Sequence, residues 1–233
     1  MTPDAFAVLD DPRVAAVLRR LHRQARRQTP SLLLHYLPKL PALLRRRPLN
    51  FNDAEIAGFY SDKFIALEPH QAAFCHLVAR SIEARLVVEF GTSFGVSTIW
   101  LAAAVRANGG GTVVTTELGA IAQRARQHIA EAGLSDYVDI RVGDALHTMT
   151  DLPDGHVDML LNDGFPTQAI DVVDLMKPKL RPGAVVITDN VGTFGANYRQ
   201  FLAYVRDPGH GYASVTVPFK SGTEYSVRLP GPA

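Results

Sequence analysis

Leu86-Val87-Val88-Glu89-Phe90-Gly91-Thr92-Ser93-Phe94-Gly95 runs straight into Val96-Ser97-Thr98-Ile99-Trp100-Leu101. Apart from one acid, the opening five residues are an apolar run, the pattern of a strand buried on both faces. Gly91 and Gly95 then permit a sharp turn and a close backbone approach to a ligand. Helical spacing follows at once, from about Gly95 to Asn108, and Gly109-Gly110-Gly111 stops it. Such a helix start offers free N–H groups and partial positive charge.

The alternation continues downstream. Thr112–Glu117 has the pattern of a second strand, and 121–132 that of a helix stopped by Gly133. Strands are expected at Val138–Val142, 157–161 and 184–188, with a helix over 168–180 between the last two. A helix over 198–206 and strands at Tyr212–Val217 and 224–229 close the chain. The expected fold is α/β: a Rossmann-like, doubly wound, mostly parallel seven-stranded sheet with helices on both faces and an N-terminal helical extension. Its ligand crevice should lie beyond the carboxyl ends of the strands.

Upstream, Val14, Val17, Leu18 and Leu21 recur at helical spacing over 12–28. Pro30, Pro38, Pro41 and Pro48 break the next segment into short pieces. Asn52-Asp53 opens another helix, and Pro69 suits the first turn of one running to about Ile82. Residues 1–60 are therefore expected to form the helical extension and 61–233 the ligand-binding domain.

Composition narrows the class. With 47% hydrophobic and 20% charged residues, the chain suits a globular fold rather than a disordered one. Net charge is +1, yet residues 1–50 hold ten Lys/Arg against three Asp/Glu. Such an arm docks on its own body, on a partner subunit or on an anion, unless its arginines merely face solvent. The single cysteine, Cys75, excludes an intramolecular disulfide and a Cys-based zinc site, and its apolar neighbours mark a core position. No apolar stretch is long enough to span a membrane and Met1-Thr2-Pro3-Asp4 is no signal-peptide start, so a cytoplasmic protein is expected.

Polar residues recur at successive strand ends. Glu89 lies in the first strand, Glu117 closes the second, and Asp144 follows the third in Val142-Gly143-Asp144-Ala145. A lone acid after a strand is often a cap; three in register suggest a ligand with hydroxyls and an adenine-like edge. The spacing lacks Gly-x-Gly-x-x-Gly, and Glu89 would repel the phosphates of a dinucleotide, which makes a nicotinamide oxidoreductase remote.

Val87-Val88-Glu89-Phe90-Gly91-Thr92-Ser93-Phe94-Gly95-Val96-Ser97-Thr98, Glu117, Val142-Gly143-Asp144-Ala145 and Thr188-Asp189-Asn190-Val191 together resemble the class I S-adenosylmethionine-dependent O-methyltransferases. The similar subgroup is the metal-dependent one of catechol and caffeoyl-coenzyme A O-methyltransferases. The resemblance runs from roughly Lys63 to Arg228 and leaves residues 1–60 outside. It implies S-adenosylmethionine held by Glu89, Gly91, Ser93, Gly95, Ser97, Glu117, Asp144, Ala145 and Asp163, with Phe64-Ile65-Ala66-Leu67 covering it from the side. It also implies Mg²⁺ or a similar ion on Asp163, Asp189 and Asn190, with Asp163 catalytic. Hard oxygen donors suit such an ion, although Asp-Gly and Asp-Asn are also common turn pairs.

One departure concerns the general base. Relatives carry a lysine three residues after the first metal aspartate; here Pro166 stands there. Lys177 and Lys179 are expected on the surface, and His147 is the nearest alternative by sequence, though its position suits an exposed helical histidine. Phe165, Phe194 and Tyr198 are either pocket walls or packing, and 222–225 is expected near the crevice. The partner expected is a small-molecule acceptor, with a homodimer through the N-terminal helices possible. The alternatives are a nucleic-acid acceptor bound through the basic arm and a degenerate cofactor binder; no base-amino methyltransferase motif favours the former.

Overall fold

β1 (Leu86–Phe90) lies between β2 (Thr112–Glu117) and β4 (Val157–Asn162), parallel to both, at the reversal point of a doubly wound sheet. The computed structural model describes residues 3–51, 58–119 and 121–231. Strand order is β3-β2-β1-β4-β5-β7-β6, where β3 is Val138–Val142, β5 Leu180–Thr188, β6 Tyr212–Val217 and β7 Thr223–Arg228. β7 runs antiparallel to both β5 and β6, so the sheet is mixed, as expected of a mostly parallel one.

Register aligns the strand ends. Phe90 pairs with Thr116 on one side and Asn162 on the other, and Asn162 pairs with Thr188. The next residues, Glu117, Gly91, Asp163 and Asp189, therefore form one row along the carboxyl edge.

The helices cover both faces. α1 (Pro12–Arg27), α4 (Pro69–Ser81), α5 (Val96–Ala107) and α6 (Ile121–Glu131) share one core with the sheet. α5 is buried from Val96 to Val105, a helix apolar all round because it is wedged between sheet and outer helices. α7 (Ala145–Thr148), α8 (Ala169–Met176) and α9 (Arg199–Arg206) belong to the other face. The α1 stripe of Val14, Leu18 and Leu21 is fully buried, each side chain contributing roughly 1.5–3 kcal/mol.

The basic arm docks on its own body. Arg13 donates to the carbonyls of Glu131 and Ala130, capping the negative C-terminal end of α6. Trp100 donates its indole N–H to His22 Nε2 at 3.2 Å, and Arg106 pairs with Asp11 at 2.8 Å. Beyond α1, the prolines do divide the chain: Pro30 and Pro41 occupy first turns of α2 (Thr29–Tyr36) and α3 (Leu40–Leu44). The helix expected from Asn52-Asp53 lies outside the described residues.

Two boundaries differ from expectation. α8 ends at Met176, and β5 begins at Leu180, paired with Val157. A register shift between Val157 and Met159 accommodates Arg181-Pro182-Gly183, which in sequence has turn chemistry. Lys179 is also not a surface residue. It is 6% exposed, and its ammonium donates to the carbonyls of Thr150 and Leu152 at 2.7 Å.

Candidate active site

The turn after β1 requires its glycines. Gly91 has φ +100°, and a Cβ there would lie 2.9 Å from the carbonyl oxygen of Asp163. Ser93 (φ 47°) and Gly95 (φ 81°) complete the bend, which Thr92 fastens by donating its N–H to Thr116 O at 3.0 Å. Glu117 accepts the N–H groups of Ser93 and Leu118, tying the turn to the end of β2. Burial raises the Glu117 carboxyl, and those two N–H groups oppose the rise.

Glu89 has no exposed surface. One carboxyl oxygen accepts from the hydroxyls of Thr98 and Thr115, while the other has no hydrogen-bond partner. Burial pushes this carboxyl above the ordinary range, against the pull of the Ser97, Thr98 and Thr115 hydroxyls, and the neighbouring Glu117 adds to the rise. A buried, unpaired carboxyl oxygen beside a helix start has the chemistry to receive a cationic group. Ser97 is buried in the first turn of α5.

Asp163 and Asp189 face the same cavity, of about 300 Å³, together with Asn190, Gln71, Thr193 and Lys220. The Asp163 carboxyl accepts no hydrogen bond from the described residues, and burial, then Asp189, then Glu89 raise it well above the usual carboxylate range. Asp189 accepts from Gln71 Nε2 and from Ser221 Oγ at 2.7 Å; its carboxyl is raised by burial against these donors. Asn190 takes a left-handed conformation, φ 65°, which asparagine tolerates better than most residues. Asn162, the neighbour of Asp163, instead donates to Ala169 O.

Two adjacent carboxylates, one without a donor, and an amide form a hard-oxygen set that suits a divalent cation such as Mg²⁺. No group of three or more His, Cys, Asp or Glu able to hold a metal occurs among the described residues, so the asparagine is needed to complete the set.

Asp144 caps α7, accepting from Leu146 N–H at 2.9 Å and from Gln168 at 3.3 Å; Ala145 is buried behind it. His147 stands in solvent, its ring 3.9 Å from Asp144. Ile65, Ala66 and Leu67 line the cavity, and Phe64 stacks on Phe94 at 4.0 Å. Gln28, at the end of α1, holds this segment through Phe64 N–H and Asp62 O. Tyr198 is core, 1% exposed. Phe165 and Phe194 pack with Phe51 of the arm. Glu224 does not face the crevice. It is fully buried, and despite that burial Arg206 and the Thr216 and Ser214 hydroxyls hold its carboxyl low. From 222–225 it is Thr223 that reaches the site, by accepting from Gln71 at 2.7 Å.

Gln71, Ser221 and Lys220 were not marked by the sequence. Lys220 belongs to the turn joining β6 to β7, and no spacing relates that turn to Asp163. It nevertheless brings a lysine into the cavity with Asp163 and Asp189.

Residues 88–191 match the family described as "Methyltransferase domain". Over 128 residues the chain is 38% identical to a catechol O-methyltransferase from Mycobacterium tuberculosis, an alignment covering 54% of this chain and 57% of that protein. The chain thus spans little more than half the length of that relative. Among solved structures, an O-methyltransferase from Bacillus cereus in complex with SAH superposes with TM-score 0.64 at 25% identity, covering 77% of this chain and 93% of the other. An O-methyltransferase from Streptomyces achromogenes involved in tomaymycin synthesis, in complex with SAM, gives 0.63 at 27% identity over 78% and 92%.

Proposed function

We propose that this chain, which has the fold and the methyltransferase domain of the class I S-adenosylmethionine-dependent O-methyltransferases, moves a methyl group from S-adenosylmethionine to an oxygen of a small-molecule acceptor. The observation that carries this reading is the row Glu117, Gly91, Asp163, Asp189 along one sheet edge, with the unpaired oxygen of Glu89 behind it. Glu89 receives the positive end of the donor, Gly91, Ser93, Gly95 and Ser97 shape the turn around its methionine part, and Glu117 takes the ribose hydroxyls. Asp144 and Ala145 border the adenine.

The acceptor oxygen sits against Asp163 and Asp189. Lys220, which lines the same cavity, accepts the hydroxyl proton. The oxygen then attacks the methyl carbon in line as the carbon–sulfur bond breaks, leaving neutral S-adenosylhomocysteine. Asp163, Asp189 and Asn190 would hold Mg²⁺ or a similar ion, which when bound would lower the acceptor's pKa. Asp163 orients the acceptor, and 65–67 limits water on the open side.

A test is methyl transfer from labelled S-adenosylmethionine to a panel of catechols, phenols and carboxylic acids, with EDTA and Mg²⁺ arms. Transfer to oxygen that EDTA abolishes and Mg²⁺ restores is expected. Donor binding without transfer to any acceptor would favour a degenerate binder, and EDTA-resistant transfer would remove the metal alone.

The reading extends to assembly. Leu33, Leu34, Leu37 and Leu44 of the arm are 61–75% exposed, which supports pairing of two copies through 29–44. Light scattering should give a dimer that Leu34→Glu with Leu37→Glu dissociates; a wild-type monomer at high concentration would refute it.

A further inference from the structure

A second concavity, of about 360 Å³, adjoins the first: Thr193 lines both. Its walls carry Arg46 and Arg47 from the N-terminal arm and Arg199 from the start of α9, with Leu43 and Phe194 between them. These arginines come from opposite ends of the chain. Paired hydrogen bonds between Leu49 and Asn197, at 3.0 and 2.8 Å, hold the arm against the 191–198 loop and bring them together.

Among the described residues none of the three guanidinium groups has an ion pair or a hydrogen-bond acceptor. Arg106, Arg181 and Arg206 are each paired with a carboxylate at 2.6–2.8 Å. All three arginines are exposed, and three cations around one concavity with no counter-charge among the described residues favour an anion between them. α9 adds the partial positive charge of its N-terminus.

The backbone at Arg46 points the same way. α3 ends with Arg46 N–H donating to Leu43 O and Arg47 N–H to Ala42 O, the paired bonds of a helix stop that glycine usually fills. Here the left-handed position, φ 50°, is an arginine. The strain keeps a charge at the cavity where glycine would make the better stop.

We infer that Arg46, Arg47 and Arg199 form a subsite for a phosphate or pyrophosphate group on the methyl acceptor, whose reacting oxygen lies past Thr193 at Asp163. This rests on the proposed methyl transfer and adds the class of substrate: an anionic acceptor. Planar guanidinium forks suit tetrahedral oxyanions, and three of them suit a multiply charged one better than a single carboxylate. All three arginines lie outside the matched 88–191, so the subsite belongs to this chain's own arm and α9.

The test titrates the full chain with inorganic pyrophosphate at low ionic strength, without and with S-adenosylhomocysteine. Saturable binding to one site is expected. Arg199→Gln, and Arg46→Gln combined with Arg47→Gln, should each weaken it at least tenfold, while Arg45→Gln, outside the cavity, changes it less than twofold. Arg46→Gly should weaken pyrophosphate binding yet raise the melting temperature, because it relieves the left-handed strain. Equal loss in Arg45→Gln, or no saturable binding, would overturn the subsite. So would short single-stranded RNA binding more tightly than pyrophosphate through the same arginines, which would make the partner a nucleic acid. S-adenosylhomocysteine is read separately: if it fails to bind while pyrophosphate behaves as stated, the donor site fails and the anion subsite stands.

Discussion

Gly91 and Asp163 touch backbone to backbone, so closely that a single methyl on Gly91 would stand 2.9 Å from the Asp163 carbonyl. The turn that would hold the methyl donor and the residue that would orient the acceptor are therefore one packed unit. Gly91→Ala must move either the turn or the end of β4, and its φ of +100° adds backbone strain. It should lose about 1–3 kcal/mol of stability and at least tenfold in S-adenosylhomocysteine affinity. Gly119→Ala, also at positive φ but with nothing within 4 Å, should lose only about 1–2 kcal/mol. Thermal melts and calorimetry on both variants make the comparison.

Gln71 ties α4 to β5 and β7 by donating to Asp189 and Thr223. Gln71→Leu leaves Asp189 with the Ser221 hydroxyl and Thr223 without its donor. The expected loss is about 1–3 kcal/mol of stability, with a fall in kcat larger than the fall in donor affinity. Equal falls would mean that Gln71 holds the donor side as well.

Lys220→Met should lower kcat about 10²-fold or more, the scale of a lost general base, and leave S-adenosylhomocysteine affinity unchanged. An unchanged kcat would take the proton from Lys220.

His22 is buried as the neutral acceptor of the Trp100 N–H, and burial, reinforced by Arg26, lowers its pKa to about 4. The folded state therefore resists a proton that the unfolded chain takes up below the ordinary histidine value, near 6.5. Stability is unaffected above that value and is lost as pH falls from it toward about 4, by up to roughly 3 kcal/mol. His22→Gln, which keeps an acceptor for Trp100, should remove most of this slope from melting curves taken between these limits.

The sequence showed most of the sheet because buried parallel strands are short apolar runs closed by glycine or an acid, as at β1 and β2. It misplaced the start of β5, because Pro182 and Gly183 have turn chemistry and only pairing with β4 draws them into the strand. Lys179 was misjudged for another reason: a lysine's charge says nothing of carbonyls such as those of Thr150 and Leu152 that fold back to meet it. At the candidate site, Asp163, Asp189 and Asn190 were visible as acids and amides at strand ends. Gln71 and Lys220 enter through a helix and a hairpin whose contact with that edge exists only once the sheet has formed. Glu224 shows the converse, since an acid beside a crevice in sequence turned to Arg206 on α9.

Titration calorimetry with S-adenosylmethionine, on the wild type and on Glu89→Gln, tests the central claim most directly. One site per chain with micromolar or tighter affinity is expected, weakened at least tenfold when the buried carboxylate is replaced. Absence of saturable heat in the wild type, or equal affinity in the two proteins, would contradict the assignment of the Glu89–Gly95 turn as the methyl-donor site.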